Sequence, residues 1–255
     1  MLDLLILGCG FTGRRVAARF IAKGARVTVT TRDPSGLAIP GAEVIALASV
    51  AGRITAGTLV LHSIPPEGSA GVVQLLGEAP ARVVYLSSTG VYGPAAFVDE
   101  RTPVDLSQER ARIRVSAERE IVAGKWSTLI LRPAAIYGPG RGIQESIQRG
   151  SYSLSDTYVS RIYVDDLAAH VEAGLLSREV TGAYPVADEE PCTSRQMAEF
   201  CADLLGISLE PGHEQPSRFS SNRRVDGSAI RRLLGVALKY PSYRVGVPAA
   251  LARLG

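Results

Sequence analysis

The first residues alternate little and are almost wholly apolar. Leu2, Leu4, Leu5, Ile6 and Leu7 surround a single Asp3, a run of strand length rather than helix length. Gly8-Cys9-Gly10-Phe11-Thr12-Gly13 follows, and residues 12–23 then place apolar side chains at helical spacing until Gly24 stops the pattern. Residues 26–31 return to a β-branched strand pattern, which completes a strand-helix-strand unit. Further apolar segments at 42–47, 58–63 and 81–86 read as strands, with a short helix at 71–77. Strands alternating with helices predict an α/β fold: a Rossmann-type, doubly wound parallel sheet.

The alternation breaks near Gly138. Residues 141–149 suggest a helix, and the polar run 151–160 suggests two short strands. Residues 164–176 form a good helical pattern opened by Asp165 and Asp166, acids that suit the first turn. A strand at 182–187 and a helix from Thr193 to Leu205 with a capping signal come next. The segment 211–241 is rich in Pro, Ser and Arg. The expected organisation is a dinucleotide-binding domain over 1–138, joined by the helix at 164–177 and a return strand at 182–187. A small C-terminal substrate lobe, assembled from non-contiguous pieces, takes most of 139–255.

Composition changes this picture little. With 46% hydrophobic and 21% charged residues, 255 residues suffice for a large core. The net charge of +3 and scattered arginines give no footprint for nucleic acid; only 218–232 is locally basic, which reads as a solvated face. Cys9, Cys192 and Cys201 have no metal-ligand spacing and cannot all pair, so no metal site is expected and reduced thiols suggest a cytoplasmic protein. The apolar start is too short for a membrane span and lacks a basic leader, so no membrane association is expected.

The chemistry lies in the glycine run. Gly8 permits a tight turn, Gly10 lets backbone approach a pyrophosphate, and Gly13 allows close packing of helix on strand. The helix opening at Phe11 and Thr12 then aims its free N–H groups at phosphate. About twenty residues later come Arg32 and Asp33. Asp33 precedes Pro34 and suits turn initiation, which leaves Arg32 for a 2′-phosphate, making NADP the first choice of cofactor and NAD the second. His62, Ser63 and Ile64 end a strand where they could border the cofactor; Ser63 is the candidate contact and His62 carries no chemistry by itself.

Residues 81–86 run into Ser87-Ser88-Thr89-Gly90-Val91-Tyr92-Gly93. Further on stand residues 98–103 (V-D-E-R-T-P), 131–140 (L-R-P-A-A-I-Y-G-P-G), 161–168 (R-I-Y-V-D-D-L-A), then Leu234-Gly235 and Tyr240-Pro241-Ser242-Tyr243. This ordered set covers most of the chain. It resembles the extended short-chain dehydrogenase/reductase superfamily, which contains the NAD-dependent epimerases and dehydratases.

The resemblance implies an oxidoreductase acting on a polar, nucleotide-sugar-like small molecule, with homodimerisation through sheet-flanking helices. It places the hydrogen bond to the reacting oxygen on Ser88 and adds Pro133 to the cofactor contacts. The family's catalytic Tyr and Lys, aligned through Glu118, fall on Arg110 and Arg114. Arginine cannot replace a phenol as acid or base, although Arg114 could still offer charge to the nicotinamide ribose. On this reading Arg114 and Glu118 form a helical surface pair, and Tyr92 and Tyr137 are the remaining candidates for proton transfer. G-x-G-x-x-G in place of G-x-x-G-x-x-G resembles an atypical subgroup that also tends to lack the Tyr. By analogy with the basic side chains that the family's smaller lobe offers to a diphosphate, Arg223 and Arg224 are candidates for that contact, an exposed basic loop being the alternative. A non-catalytic dinucleotide-binding sensor is the alternative implied by the missing pair.

Overall fold

The computed structural model describes residues 1–68, 71–209 and 222–252. The first strands and helices are β1 (Asp3–Leu7), α1 (Phe11–Ile21), β2 (Arg26–Thr31), β3 (Ala42–Ala46), β4 (Leu59–His62), α2 (Val72–Leu76) and β5 (Arg82–Leu86). Next come β6 (Phe97–Val98), α3 (Glu109–Val122), β7 (Ser127–Pro133), β8 (Ala135–Tyr137), α4 (Ile143–Gln148), β9 (Tyr158–Val159), β10 (Arg161–Tyr163) and α5 (Val164–Leu176). The chain continues through β11 (Gly182–Val186), β12 (Cys192–Thr193), α6 (Ser194–Leu205), β13 (Arg224–Val225), α7 (Ser228–Leu234) and α8 (Tyr243–Ala252).

Seven strands pair in the order β11-β7-β5-β4-β1-β2-β3, all parallel, so this is the doubly wound α/β sheet that the alternation predicts. Alternate strand residues face opposite cores. Ile6, Leu61 and Leu129 pack against α1 and α5 through Val16, Phe20 and Val171. Leu7, Val60 and Tyr85 face α2 and α3 through Leu76 and Ile121, with Trp126 before β7 completing this core. Each fully buried Leu, Val or Phe contributes about 1.5–3 kcal/mol, so the two faces hold the sheet. Buried Arg82 ties the strands to the helices, because it donates to Ser127 Oγ and to the carbonyls of Gly174 and Val180.

A third core lies beyond the carboxyl end of the sheet. Tyr137, Tyr163, Met197, Cys201, Tyr243 and Val247 pack there between α4, α6 and α8, and Tyr240 stacks on Tyr163 at 3.8 Å. Thr193 and Gln196 form the capping box that opens α6.

Two local expectations need correction. Within 151–160 only β9 forms as a strand; Ser155 instead turns back, its Oγ 2.7 Å from Thr157 Oγ1. Asp165 and Asp166 stand in the first turn of α5 as expected, but neither caps it: the N-cap position is Tyr163, which makes no side-chain cap bond. Asp165 pairs with Arg15 at 3.1 Å, and buried Asp166 accepts the backbone N–H groups of Lys239 (2.9 Å) and Tyr240 (2.8 Å). A long-range anchor outcompetes a local cap because those two amides would otherwise be unpaired beside the lobe's core. Residues 211–221 of the Pro-, Ser- and Arg-rich tail, including Arg218 of the basic stretch, lie outside the described residues.

Candidate functional site

β1 is where the strand order reverses, with β2 on one side and β4 on the other. In open parallel sheets ligands lie in the crevice at that point. The chain leaves β1 through Gly8 at φ +85°, where a Cβ would stand 3.0 Å from Ile64 Cγ1 and 3.1 Å from Ile64 N, so only glycine fits. The loop is tied to both neighbours. Gly8 N donates to Thr30 Oγ1 at 3.0 Å, Cys9 N donates to the Thr30 carbonyl at 2.9 Å, and Ser63 Oγ donates to the Gly8 carbonyl at 2.6 Å.

A Cβ on Gly10 would meet nothing within 4 Å, so the backbone there faces open space. Gly13 is the opposite case, with a Cβ position 3.1 Å from the Gly8 carbonyl and 3.2 Å from Ile6 Cγ2. α1 starts behind Gly10 with no side-chain cap and no acid in its first turn, although Thr12 is buried there. Its first N–H groups are thus available to an anion. An open backbone at Gly10, a pinned turn and an uncapped helix fit the pyrophosphate of a dinucleotide. Burial pushes the Cys9 thiol up to about 11, so this cysteine is a packing group and not a nucleophile.

Beyond β2, Asp33 accepts from Ser35 N (3.0 Å) and Ser35 Oγ (2.6 Å), and these bonds hold its carboxyl below the usual carboxylate range. The acid is spent on its own turn. Arg32 stands exposed beside it with no ion-pair partner among the described residues. His62 is buried against Tyr85 with ring centroids 4.8 Å apart, and burial pushes its pKa down to about 4. Its Nδ1 accepts from Ile64 N at 3.3 Å, a structural role.

Ser88 stands two residues beyond β5, at the same edge of the sheet. It is half-buried and caps the turn Thr89–Tyr92 by accepting from Gly90 N at 3.1 Å, which leaves its O–H proton for another acceptor. Pro133 closes β7 at this edge, paired with Val186. The carboxyl edge therefore gathers Gly8–Gly13, Arg32, Ser63, Ser88 and Pro133.

Tyr92 and Tyr137 are not at an opening. Tyr92 is buried, its hydroxyl accepts from Arg132 Nη1 at 3.1 Å, and burial raises its pKa. Tyr137 is buried in the lobe core, donates to the Ser242 carbonyl at 3.3 Å and is raised further, again by burial. A phenol harder to ionise and already engaged is poorly suited to proton transfer.

On α3, Arg110 is exposed and Arg114 half-buried. Glu118 makes no surface pair with Arg114. It is buried and binds Arg132 through both oxygens, at 2.9 and 2.6 Å. Arg114 lies near the Tyr85 phenol and pulls its pKa down, against burial that pushes it up to about 12.

Arg223 also departs from expectation. It is buried and donates to the carbonyls of Thr89, Gly93 and Ala95, bracing the Ser88 turn instead of facing a diphosphate. Five fixed donors suit a cluster of carbonyls that would otherwise be unpaired. Arg224 lies over the Tyr158 ring at 3.5 Å.

Two residues at the site escaped the sequence. Thr30 pins the glycine loop but reads only as one more strand residue. Arg141, after Gly138-Pro139-Gly140, lies over the Phe11 ring at 5.4 Å, and only its place just beyond that turn hinted at it. No cluster of metal-ligating side chains occurs among the described residues, and none of their helices is long and apolar enough to cross a membrane.

No protein-family model matches the chain. Among curated proteins, 3-diazoavenalumate denitrifying reductase of Streptomyces sp is 24% identical over 301 aligned positions, covering 96% of this chain and 98% of that protein. Among solved structures, a conserved protein of unknown function from Silicibacter pomeroyi DSS superposes with a TM-score of 0.85 at 30% identity over 99% of both chains. A Methylobacillus flagellatus protein assigned as an NAD-dependent epimerase/dehydratase gives 0.82 at 26% identity, over 99% of this chain and 98% of that one. With the strand order, the glycine loop and the Ser88 turn in place, the chain belongs to the NAD-dependent epimerase/dehydratase family of extended short-chain dehydrogenase/reductases.

Proposed function

We propose that this protein binds a nicotinamide dinucleotide, NADP(H) before NAD(H), and acts as an atypical oxidoreductase on a small polar substrate, nucleotide-sugar-like compounds being one class. One observation carries the reading: Gly8, tied to Thr30 and Ser63 where the strand order reverses, presents open backbone at Gly10 before an uncapped helix. The bound reduced nicotinamide supplies hydride. This chain's residues hold and orient: the first N–H groups of α1 take the diphosphate, Arg32 the 2′-phosphate, Arg114 lends charge toward the ribose, and Ser88 donates a hydrogen bond to the reacting group.

The replaced pair bears on direction. Epimerisation and dehydration open with oxidation of an alcohol, which needs a base for the hydroxyl proton, and Arg110 cannot serve. Reduction of an electrophile that accepts hydride at carbon while expelling a neutral leaving group needs no protein acid. The Streptomyces relative, a reductase by name, favours this direction.

The test has two stages. NADPH and NADH are titrated into the protein and followed by melting temperature and nucleotide fluorescence, and a panel of electrophilic and carbonyl substrates is then assayed for loss of the reduced nicotinamide's absorbance. Binding with turnover that drops in Ser88→Ala supports the reading; no binding at about millimolar dinucleotide refutes it. The same substitution of Tyr and Lys by Arg110 and Arg114 supports a second reading, a non-catalytic redox sensor, which is favoured if dinucleotide binds and no acceptor is ever reduced.

A further inference from the structure

The loop between β8 and α4 lies against the start of α1. Gly138 and Arg141 bridge each other, with N–H to carbonyl distances of 2.8 and 3.0 Å. The amide of fully buried Gln144 donates to the carbonyls of both, at 2.9 and 3.0 Å, so both ends of the loop are pinned from below. Gly138 is pressed on Phe11, its Cβ position 3.4 Å from the ring's Cζ. The result is a rigid clip resting on the first residue of the glycine-loop helix.

Two cations flank the Phe11 ring. Arg15 lies 4.2 Å from its centroid and is neutralised by Asp165 at 3.1 Å, with a further bond to the Phe11 carbonyl. Arg141 lies 5.4 Å from the centroid, is exposed, and has no carboxylate partner among the described residues. Contact with the Phe11 ring engages the charge of the Arg141 guanidinium and not its N–H groups, which remain free to meet an oxyanion. The backbone beside it, at Gly10, is the open part of the loop.

We infer that Arg141, carried on the clip, closes over the dinucleotide's diphosphate, completing from the second lobe a site whose floor is the glycine loop. The inference rests on the proposed dinucleotide site and names a positioning residue within it. It separates two charges: Arg141 acts on the diphosphate that both cofactors share, whereas Arg32 acts on the 2′-phosphate that only NADP carries.

The experiment measures dissociation constants of NADPH, NADH and ADP-ribose for wild type, Arg141→Gln, Arg141→Lys and Arg32→Ala, with the ligand-free melting temperature as a folding control. Because the clip is held by Gln144 and backbone, Arg141→Gln is expected to melt as wild type. It should weaken all three ligands by a common factor of about tenfold or more, partly restored in Arg141→Lys. Arg32→Ala should weaken NADPH alone. Equal affinities in wild type and Arg141→Gln overturn the inference while leaving the dinucleotide site intact, as does a loss confined to NADPH or absent for ADP-ribose. A wild type that binds none of the three overturns the site itself.

Discussion

Removing Glu118 tests the structural reading of α3 most sharply. Its side chain is 5% exposed and that of Arg132 11%, and the two bonds at 2.9 and 2.6 Å join both carboxylate oxygens to the guanidinium. In Glu118→Ala the guanidinium keeps only the Tyr92 hydroxyl at 3.1 Å, so a buried charge loses its counter-charge. Breaking such a pair from one side costs about 3–5 kcal/mol. For a chain of this size each kcal/mol lowers the melting temperature by about 2–4 °C, so a fall of roughly 6–20 °C is expected. The single tryptophan, Trp126, is buried in the core between sheet and α3 and reports urea unfolding directly. Removing both charges in Glu118→Leu/Arg132→Met should recover at least half of the loss, since no buried ion then remains unpaired. A surface pair of the kind first expected would contribute about 0–1 kcal/mol. A loss below about 1 kcal/mol in Glu118→Ala, or a double variant no better than the single one, refutes the buried-pair reasoning.

Other outcomes follow from the same geometry. Gly10→Ala should unfold like wild type, because its Cβ meets nothing within 4 Å, yet lose at least about tenfold in dinucleotide affinity by titration. Ser63→Ala removes the 2.6 Å bond to the Gly8 carbonyl, worth about 1 kcal/mol, and should weaken NADPH and NADH alike by about fivefold. Asp188 is raised to about 8 by burial, opposed by the Arg161 guanidinium. The folded state therefore holds a proton that the unfolded chain releases near pH 4, and stability falls as pH rises from about 4 to about 8, then levels. Asp188→Asn should remove that slope, so its urea midpoint relative to wild type rises across this window; a constant difference would refute the assignment.

The parts legible in the sequence are those set by local periodicity. β2 and α5 occupy the expected residues, and the Thr193–Gln196 box announces α6, because pattern and capping are decided within a few neighbours. The misread residues all have partners far along the chain. Asp166 is the first-turn acid it looks like, but its carboxylate is spent on Lys239 and Tyr240 from the end of the chain, Glu118 looks like a helix-surface charge until β7 delivers Arg132, and Arg223 looks like a ligand-binding cation until the Ser88 turn presents three carbonyls. At the site the glycine spacing was readable because each glycine answers a local steric demand. The Arg141 contact was not, since it depends on a clip that no spacing rule encodes.

Asp166 also sets an order of assembly. The sheet's last strand ends at Val186, and Gly8, Thr30 and Ser63 all precede it, whereas the second lobe's core needs Tyr240, Tyr243 and Val247. On a ribosome the cradle is thus available on the order of several seconds before the segment that Asp166 holds has been synthesised. During that interval Tyr137 and Tyr163 lack the part of their cover that Tyr240, Tyr243 and Val247 supply, so a nascent chain that acquires nucleotide early gains stability while its second core is incomplete.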